Sequence, residues 1–289
     1  MRRFEYRDPL TLDEAVDLLR DHNGRAAIMA GGTDLLVEIK GKTRQPDCLI
    51  DIKKIPGLAF LIYDENDGLR IGALTTVRSI ETSPVVNRLY AGLAQAAREL
   101  GSLQIRNRAT LVGNICRASP SADLPPPLIA DGAVVRLHGP DGERVLPLGG
   151  FFTGPGQTVL AQDELAVEVL VPNPPPHTGK VYVKHGRRKA MELASVGVAV
   201  ALTLEGDICK RIRVVLGAVA PTPIRVPAAE EILRDTVIEE NAIEAAARTA
   251  AEASHPISDV RSSASYRREM VQVLTGRALR EALARARAG

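Results

Sequence analysis

The chain has 289 residues, which is enough for one large domain or for two to three small ones. A net charge of +2, an aromatic content of 3% and the absence of tryptophan argue against a nucleic-acid-binding surface and a membrane aromatic belt. No apolar run reaches the roughly 18 residues of a membrane span, and no apolar signal core follows the N-terminus, so we expect a cytoplasmic protein.

The first part of the chain predicts a small α/β unit. Thr11-Leu12-Asp13-Glu14 has the residues of a capping box, in which Thr11 caps a helix and Glu14 bonds back. A strand is predicted over 26–30, a helix over 35–40 and a second strand over 48–52.

The middle part predicts a second unit that contains both strands and helices. Apolar patterns predict strands over 68–73, 133–137, 145–148 and 165–171, and helices over 77–81 and 85–100. The segment 107–133 has small polar residues and three successive prolines but no regular period, which indicates a functional loop. Pro172-Asn173-Pro174-Pro175-Pro176 interrupts all regular structure, so we place a domain boundary there.

The last part predicts an antiparallel sheet followed by helices. Strands are predicted over 180–184, 195–204 and 212–219, and helices over 228–233, 238–253 and 265–288. Gly206-Asp207 is a natural hairpin turn between the last two strands. We therefore expect three units, over residues 1–57, 58–176 and 177–289.

Two small-residue turns are candidate anion sites. Gly31-Gly32-Thr33-Asp34 exposes backbone N–H groups, so it suits either a structural turn or an anion site. It is neither the GxGxxG fingerprint nor a P-loop, since no Gly-Lys-Ser/Thr follows. A second turn is predicted at 110–114, and the two together would hold a pyrophosphate through backbone N–H groups. Thr33, Asn114 and Ser119 would add hydroxyl and amide hydrogen bonds.

Two charged residues are further candidates. Asp123 stands among small residues and prolines, so it is either a turn residue or an acceptor for ligand hydroxyls, such as those of a ribityl chain. Lys184 follows an apolar strand and is placed to reach into a cleft, whereas we expect most of the basic segment 184–189 to be a solvated loop. The sequence shows no nucleophile–base–acid constellation, metal-ligand spacing or CxxC pair, which favours chemistry carried by a bound organic cofactor.

Several longer stretches resemble one family. AGGTDL from Ala30, the stretch 110–114 and NICRASPSADLPPPLIADGA from Asn114 resemble the flavin-binding (medium) subunit of molybdenum hydroxylases. This group includes carbon monoxide dehydrogenase, xanthine dehydrogenase and 4-hydroxybenzoyl-CoA reductase. MELASVGVAVAL, LGAVAPTPIR and DVRSSASYRREMVQVL resemble the C-terminal domain of that subunit, so the resemblance covers essentially the whole chain in order.

The resemblance implies an α+β fold. Two α/β subdomains would form the FAD-binding fold of the p-cresol methylhydroxylase and vanillyl-alcohol oxidase group, and an antiparallel sheet with helices would follow. The implied FAD contacts are Met29, Ala30, Gly31, Gly32, Thr33, Asp34, Leu35, Leu100, Thr110, Gly113, Asn114, Ser119, Asp123, Leu165 and Lys184. Among these, Asp123 would hydrogen-bond the flavin's chain and Lys184 would lie near the isoalloxazine ring; no catalytic or metal-binding residue is implied. Val112 departs from the family's second glycine, and a branched side chain disfavours a positive φ there.

The resemblance also implies an electron-transfer function. FAD in this subunit would collect electrons from two [2Fe–2S] clusters of a small subunit and pass them to an external acceptor. A molybdenum cofactor in a large subunit would act on the substrate, and the three kinds of subunit would form a dimer of heterotrimers. Two alternatives stay open: a stand-alone flavin oxidoreductase of the same fold, and a flavin-free scaffold subunit, for which Val112 is the only reason in the sequence.

Overall fold

The computed structural model describes residues 3–188 and 190–289, so the solvated position predicted for Lys189 lies outside the described residues. The first unit consists of β1 (Glu5–Arg7), α1 (Leu12–His22), β2 (Ala26–Met29), α2 (Leu35–Lys40) and β3 (Cys48–Asp51). Its strands form a parallel sheet in the order β1-β3-β2. The predicted cap of α1 is confirmed, because Thr11 Oγ1 accepts a hydrogen bond from the Glu14 N–H at 3.1 Å. Strand β1 was not predicted, because it has only three residues, all exposed.

The second unit is a five-stranded antiparallel sheet with six short helices. Its elements are β4 (Leu61–Asp64), β5 (Gly68–Gly72), α3 (Val77–Thr82), α4 (Pro84–Leu89), α5 (Ala91–Glu99), α6 (Leu103–Arg106), α7 (Leu111–Arg117), α8 (Pro125–Ala130), β6 (Val134–Gly139), β7 (Gly142–Pro147), β8 (Phe152–Gly154), β9 (Gln157–Thr158) and β10 (Leu165–Val171). The strand order is β4-β5-β10-β6-β7, and β8 and β9 form a separate hairpin.

Two predictions for this unit are wrong in detail. The single helix predicted over 85–100 is two helices, because Tyr90 leaves the helical conformation at φ −129° and ψ 49°. Its ring is fully buried and its hydroxyl donates to the Val171 carbonyl at 3.3 Å, which fixes the break.

The loop predicted over 107–133 contains α7 and α8, and its small-residue turn at 110–114 is the cap and first turn of α7. Thr110 Oγ1 accepts from the Gly113 N–H at 3.1 Å, as an N-cap residue does. The three prolines begin α8, where their missing N–H groups would have no helical partner in any case. Both helices have only six or seven residues, too few for a period to show in the sequence.

The third unit is a four-stranded antiparallel sheet covered by three helices. Its elements are β11 (Thr178–His185), β12 (Val196–Glu205), β13 (Ile208–Gly217), β14 (Ile224–Arg225), α9 (Pro227–Leu233), α10 (Glu240–Glu252) and α11 (Ala264–Ala288). The hairpin turn at Gly206-Asp207 is confirmed. Strand β14, which has only two residues, was not predicted.

The two faces of β11 pack against different partners. Val181 belongs to the core beneath α11, while Tyr182 belongs to the core of the second unit. Lys180 and Lys184 share the Tyr182 face, because side chains alternate along a strand. The sheet of the third unit therefore presents two lysines to the second unit. None of the helices in the described ranges has the length and hydrophobicity of a transmembrane span.

Candidate functional site

The first predicted loop, at 30–34, connects β2 to α2. Gly32 has a φ of +74°, which L side chains rarely adopt. Gly31 lies against the segment before α7 so closely that a Cβ atom would stand 2.1 Å from the Arg108 carbonyl oxygen. Among the described residues, the backbone N–H groups of residues 31–35 have no acceptor within the protein. The loop therefore offers a row of backbone N–H donors that are free to bind a ligand.

The second predicted segment needs no positive φ. Val112 is buried inside α7 and has helical geometry, so its branched side chain does not strain the backbone. The concern about a positive φ at Val112 does not apply, because the position is helical and valine fills the core. Backbone strain is therefore no argument for a flavin-free scaffold.

Asn114 supplies a polar atom without a partner. Its Oδ1 atom is buried and makes no hydrogen bond within the part of the chain that the structure describes. A buried amide oxygen without a donor costs free energy, which a ligand N–H or O–H group would recover. Arg117, one turn later, lies 2.6 Å from Glu38 of α2. This ion pair joins α7, which contains most of the second predicted segment, to α2, which follows the first.

Asp123 and Lys184 form a buried ion pair that joins the second and third units. Lys184 Nζ lies 2.9 Å from Asp123 Oδ2, and the Tyr182 hydroxyl donates to Asp123 Oδ1 at 2.8 Å. The Asp123 and Lys184 side chains are only 8% and 5% exposed. Lys184 also donates to the Glu99 carbonyl at 3.0 Å, at the end of α5 and next to Leu100. The structure thus places Leu100 beside this pair.

Burial controls the ionisation of Asp123 and Tyr182. It raises the pKa of Asp123 from 3.8 to about 6, although the Lys184 ammonium and the Tyr182 hydroxyl both favour the carboxylate. Burial and the neighbouring Asp123 charge raise the pKa of Tyr182 well above its usual range. Near neutral pH the Tyr182 hydroxyl therefore keeps its proton and donates a hydrogen bond to the ionised Asp123 carboxylate.

The remaining predicted residues occupy several positions around these groups. Met29 ends β2 and Leu35 begins α2, on either side of the first loop. Ser119 lies between α7 and Asp123 with a half-buried side chain. Leu165 begins β10 and is buried in the same core as Leu100. No hydrogen bond or ion pair among the described residues connects the first loop directly to the Asp123–Lys184 pair.

Two residues at the site were not predicted. Tyr182 precedes Lys184 by two positions, so strand alternation alone would have put it on the same face. Lys53 pairs with Asp51 at 2.6 Å and donates to the Ala30 carbonyl at 3.3 Å, which adds a cation to the first loop. This contact depends on the parallel pairing of β2 with β3, which the sequence does not reveal.

The residues present fit the cofactor that the resemblance implies. Free N–H groups at residues 31–35 and the nearby Lys53 suit the phosphates of an anionic dinucleotide. The unpartnered Asn114 oxygen and the Asp123 carboxylate suit donors on the rest of such a molecule. The arrangement can bind and orient a ligand; the chemistry would come from the ligand itself.

Comparison with known proteins identifies the family. The model of the FAD binding domain in molybdopterin dehydrogenase matches residues 2–174, and that of the CO dehydrogenase flavoprotein C-terminal domain matches residues 181–282. The carbon monoxide dehydrogenase medium chain of Hydrogenophaga pseudoflava is 38% identical over 283 residues, which are 98% of each chain. The xanthine dehydrogenase FAD-binding subunit of Escherichia coli O157:H7 is 33% identical over 282 residues, covering 97% of this chain and 96% of that one.

A solved structure supports the same assignment. Carbon monoxide dehydrogenase from Hydrogenophaga pseudoflava, in a form that lacks the Mo-pyranopterin moiety of its cofactor, has a chain that superposes with a TM-score of 0.95. The two chains are 37% identical, and the match covers 98% of each. The α+β fold of an FAD-binding region followed by a sheet-and-helix region is therefore confirmed. This chain belongs to the family of FAD-binding medium subunits of molybdopterin dehydrogenases.

Proposed function

We propose that this chain binds FAD and is the electron-transfer flavoprotein subunit of a molybdenum-containing hydroxylase or dehydrogenase. The observation that carries the proposal is the first loop, where the N–H groups of residues 31–35 have no protein acceptor and lie beside Lys53. Nearly full-length similarity to the medium chain of a carbon monoxide dehydrogenase supports the assignment to an oxidoreductase complex.

Each part of the site has a separate task. The N–H groups of residues 31–35 bind phosphate oxygens, and glycine at position 31 lets this loop lie directly against the Arg108 carbonyl. Asn114 accepts a hydrogen bond from the ligand. Thr33 belongs to the first segment, Thr110 and Gly113 belong to the second, and Ser119 follows α7. The chemistry that FAD supplies when bound is the exchange of electrons singly or in pairs.

The Asp123–Lys184 pair has a positioning task. Asp123 and the Glu99 carbonyl fix the Lys184 ammonium from two sides, so its charge stays at one point at the junction of the second and third units. Leu100 and Leu165 provide apolar surface from the core of the second unit. We assign these residues to the ring end of the flavin.

The complex would contain two further kinds of subunit. We propose a large molybdopterin-binding subunit and a small subunit with [2Fe–2S] clusters, arranged as a dimer of heterotrimers, with domain boundaries in this chain after residues 57 and 176. We also propose a cytoplasmic complex. The three cysteines, Cys48, Cys116 and Cys209, are all free thiols, which is usual in a reducing compartment.

The experiment is affinity purification through a tag on this chain, expressed from its own locus. We expect two further polypeptides to copurify with the tagged chain. The purified complex should contain molybdenum and iron, measured by inductively coupled plasma mass spectrometry, and flavin, measured by absorbance. Reduction of the complex by its substrate should bleach the flavin absorbance. Recovery of the tagged chain without molybdenum, iron or partner polypeptides would contradict the proposed assembly.

A further inference from the structure

A second cavity lies at the far end of the interface that holds Asp123 and Lys184. Lys180 is on the same face of β11 as Lys184, four residues away, which corresponds to about 13 Å along a strand. Lys180 pairs with Asp131 at 2.9 Å, just after α8, as Lys184 pairs with Asp123 just before it. Next to Lys180 and Asp131 opens a cavity of about 310 Å³, bounded by the linker at 172–175 and by the sheet of the third unit.

Basic side chains dominate the lining of this cavity. The cationic lining residues are Lys180, Lys210, Arg211, Arg213, Arg225 and Arg234, and the carboxylate among the lining residues is Asp131. Acids that do not line the cavity neutralise part of this charge, since the buried Glu230 lies 2.6 Å from Arg225 and the exposed Asp235 lies 2.9 Å from Lys210. Glu205 also acts on Lys210, so six positive charges face four negative ones and the cavity keeps an excess of positive charge.

Arg213 carries much of that excess. It makes no ion pair with any described carboxylate, and its side-chain hydrogen bond goes to the Ala130 carbonyl at 3.3 Å. Burial and the neighbouring Arg225 lower the pKa of Arg213 from its usual value, and the charges of Glu230 and Asp131 oppose this change only in part. Gly132 leaves room for it, because a Cβ there would stand 2.2 Å from Arg213 Nη1. A half-buried guanidinium that forms no ion pair among the described residues gains from an anion in direct contact with it.

Arg211 is a second cation without a partner. It lies two residues earlier on β13, on the same face, and is exposed at the rim of the cavity. It makes no side-chain hydrogen bond or ion pair with any residue of the described ranges. Two neighbouring guanidinium groups with free N–H donors suit an oxyanion, because each presents a planar fork that matches its oxygen atoms.

We propose that this cavity binds the phosphate group of a small molecule, held by Arg213 and Arg211 and separate from the flavin site. A volume of about 310 Å³ is at the lower end of the range of small-molecule sites. It exceeds the space of one phosphate ion, so both a free phosphate and a phosphate monoester fit the same chemistry. The proposal does not depend on the proposed electron-transfer function.

The experiment is isothermal titration calorimetry on the full chain in excess FAD, which keeps the first loop occupied. The probes are inorganic phosphate and adenosine monophosphate, titrated into the wild type and into Arg213→Gln, Arg211→Gln and Arg44→Gln. Arg44 is the control, since it is an exposed arginine of the first unit, which contributes no residue to the lining of the cavity. We expect at least about tenfold weaker binding in Arg213→Gln and Arg211→Gln, and no change in Arg44→Gln.

Each outcome decides the proposal. Tighter binding of the monophosphate assigns the cavity to a phosphate ester, while equal or tighter binding of inorganic phosphate assigns it to the free ion. Absence of binding heat with both probes overturns the proposal, as does binding that neither cavity variant weakens. If Arg213→Gln fails to fold, Arg211→Gln decides the outcome alone, because its side chain is exposed and supports no other contact.

Discussion

Replacing Asp123 with asparagine removes a buried charge while it keeps the size of the side chain. The carboxylate is 8% exposed and accepts hydrogen bonds from Tyr182 and Lys184. Burial raises its pKa from 3.8 to about 6, and at about 1.4 kcal/mol per pH unit this corresponds to about 3 kcal/mol. The folded protein holds this proton more tightly than the unfolded chain does, so the wild type loses that stability as the pH rises from 3.8 through 6.

The assay is urea unfolding of wild type and Asp123→Asn from about pH 4 to about pH 6.5 at constant ionic strength. The free energy of unfolding of the wild type, minus that of the variant, should fall by about 2 kcal/mol across this range, because part of the full change of about 3 kcal/mol lies outside it. Asp51, Glu81 and Glu164, whose pKa values the folded structure lowers, affect both proteins equally and cancel in the difference. Asp207→Asn, at an exposed turn, is the control and should show a constant difference. A constant or rising difference for Asp123→Asn would refute the argument that burial governs this carboxyl group.

Three further substitutions test the site and the fold. Gly32→Val should abolish FAD binding in a fluorescence titration. Gly57→Val is the control and should keep FAD binding, since Gly57 has a similar φ of +77° but open space around it. Equal loss of FAD binding in both variants would point to backbone strain alone. Asn114→Ala should weaken FAD binding by about 1–3 kcal/mol in calorimetry. It should not lower the midpoint of urea unfolding, because Asn114 Oδ1 bonds to no described residue. Unchanged affinity for FAD would remove Asn114 from the site. Gly179→Ala should lower the free energy of unfolding by more than about 2 kcal/mol, because the Cβ of the new alanine would meet the Ala282 carbonyl of α11. A change below about 0.5 kcal/mol would contradict the close packing of β11 against α11.

Local patterns predicted most of the longer elements, but not β4, which has four residues like the predicted β2, nor the short hairpin of β8 and β9. The cap at Thr11, the hairpin at Gly206-Asp207 and most strands of the third unit follow from capping, turn and alternation rules. The short helices α7 and α8 were missed because six or seven residues show no period and three prolines suggest a loop. The break at Tyr90 was missed because its cause is a bond to a strand 81 residues away.

The candidate site depends even more on contacts between residues that are far apart in the sequence. Asp123 and Lys184 were each singled out from their neighbours in sequence, but their pairing joins residues 61 positions apart and appears only in the fold. The contact between Gly31 and Arg108 is likewise non-local, and it explains the glycine better than the turn alone does. The roles of these residues toward FAD stay predictions.

Flavin binding by this chain can be measured as the visible absorption spectrum of the purified chain after gel filtration with excess FAD. We expect flavin absorbance that elutes with the chain, at close to one flavin per polypeptide. The same treatment of Gly32→Val should give a colourless protein of unchanged elution volume. A wild-type chain that elutes without flavin would contradict the central claim that the free N–H groups of residues 31–35 bind the cofactor's phosphates.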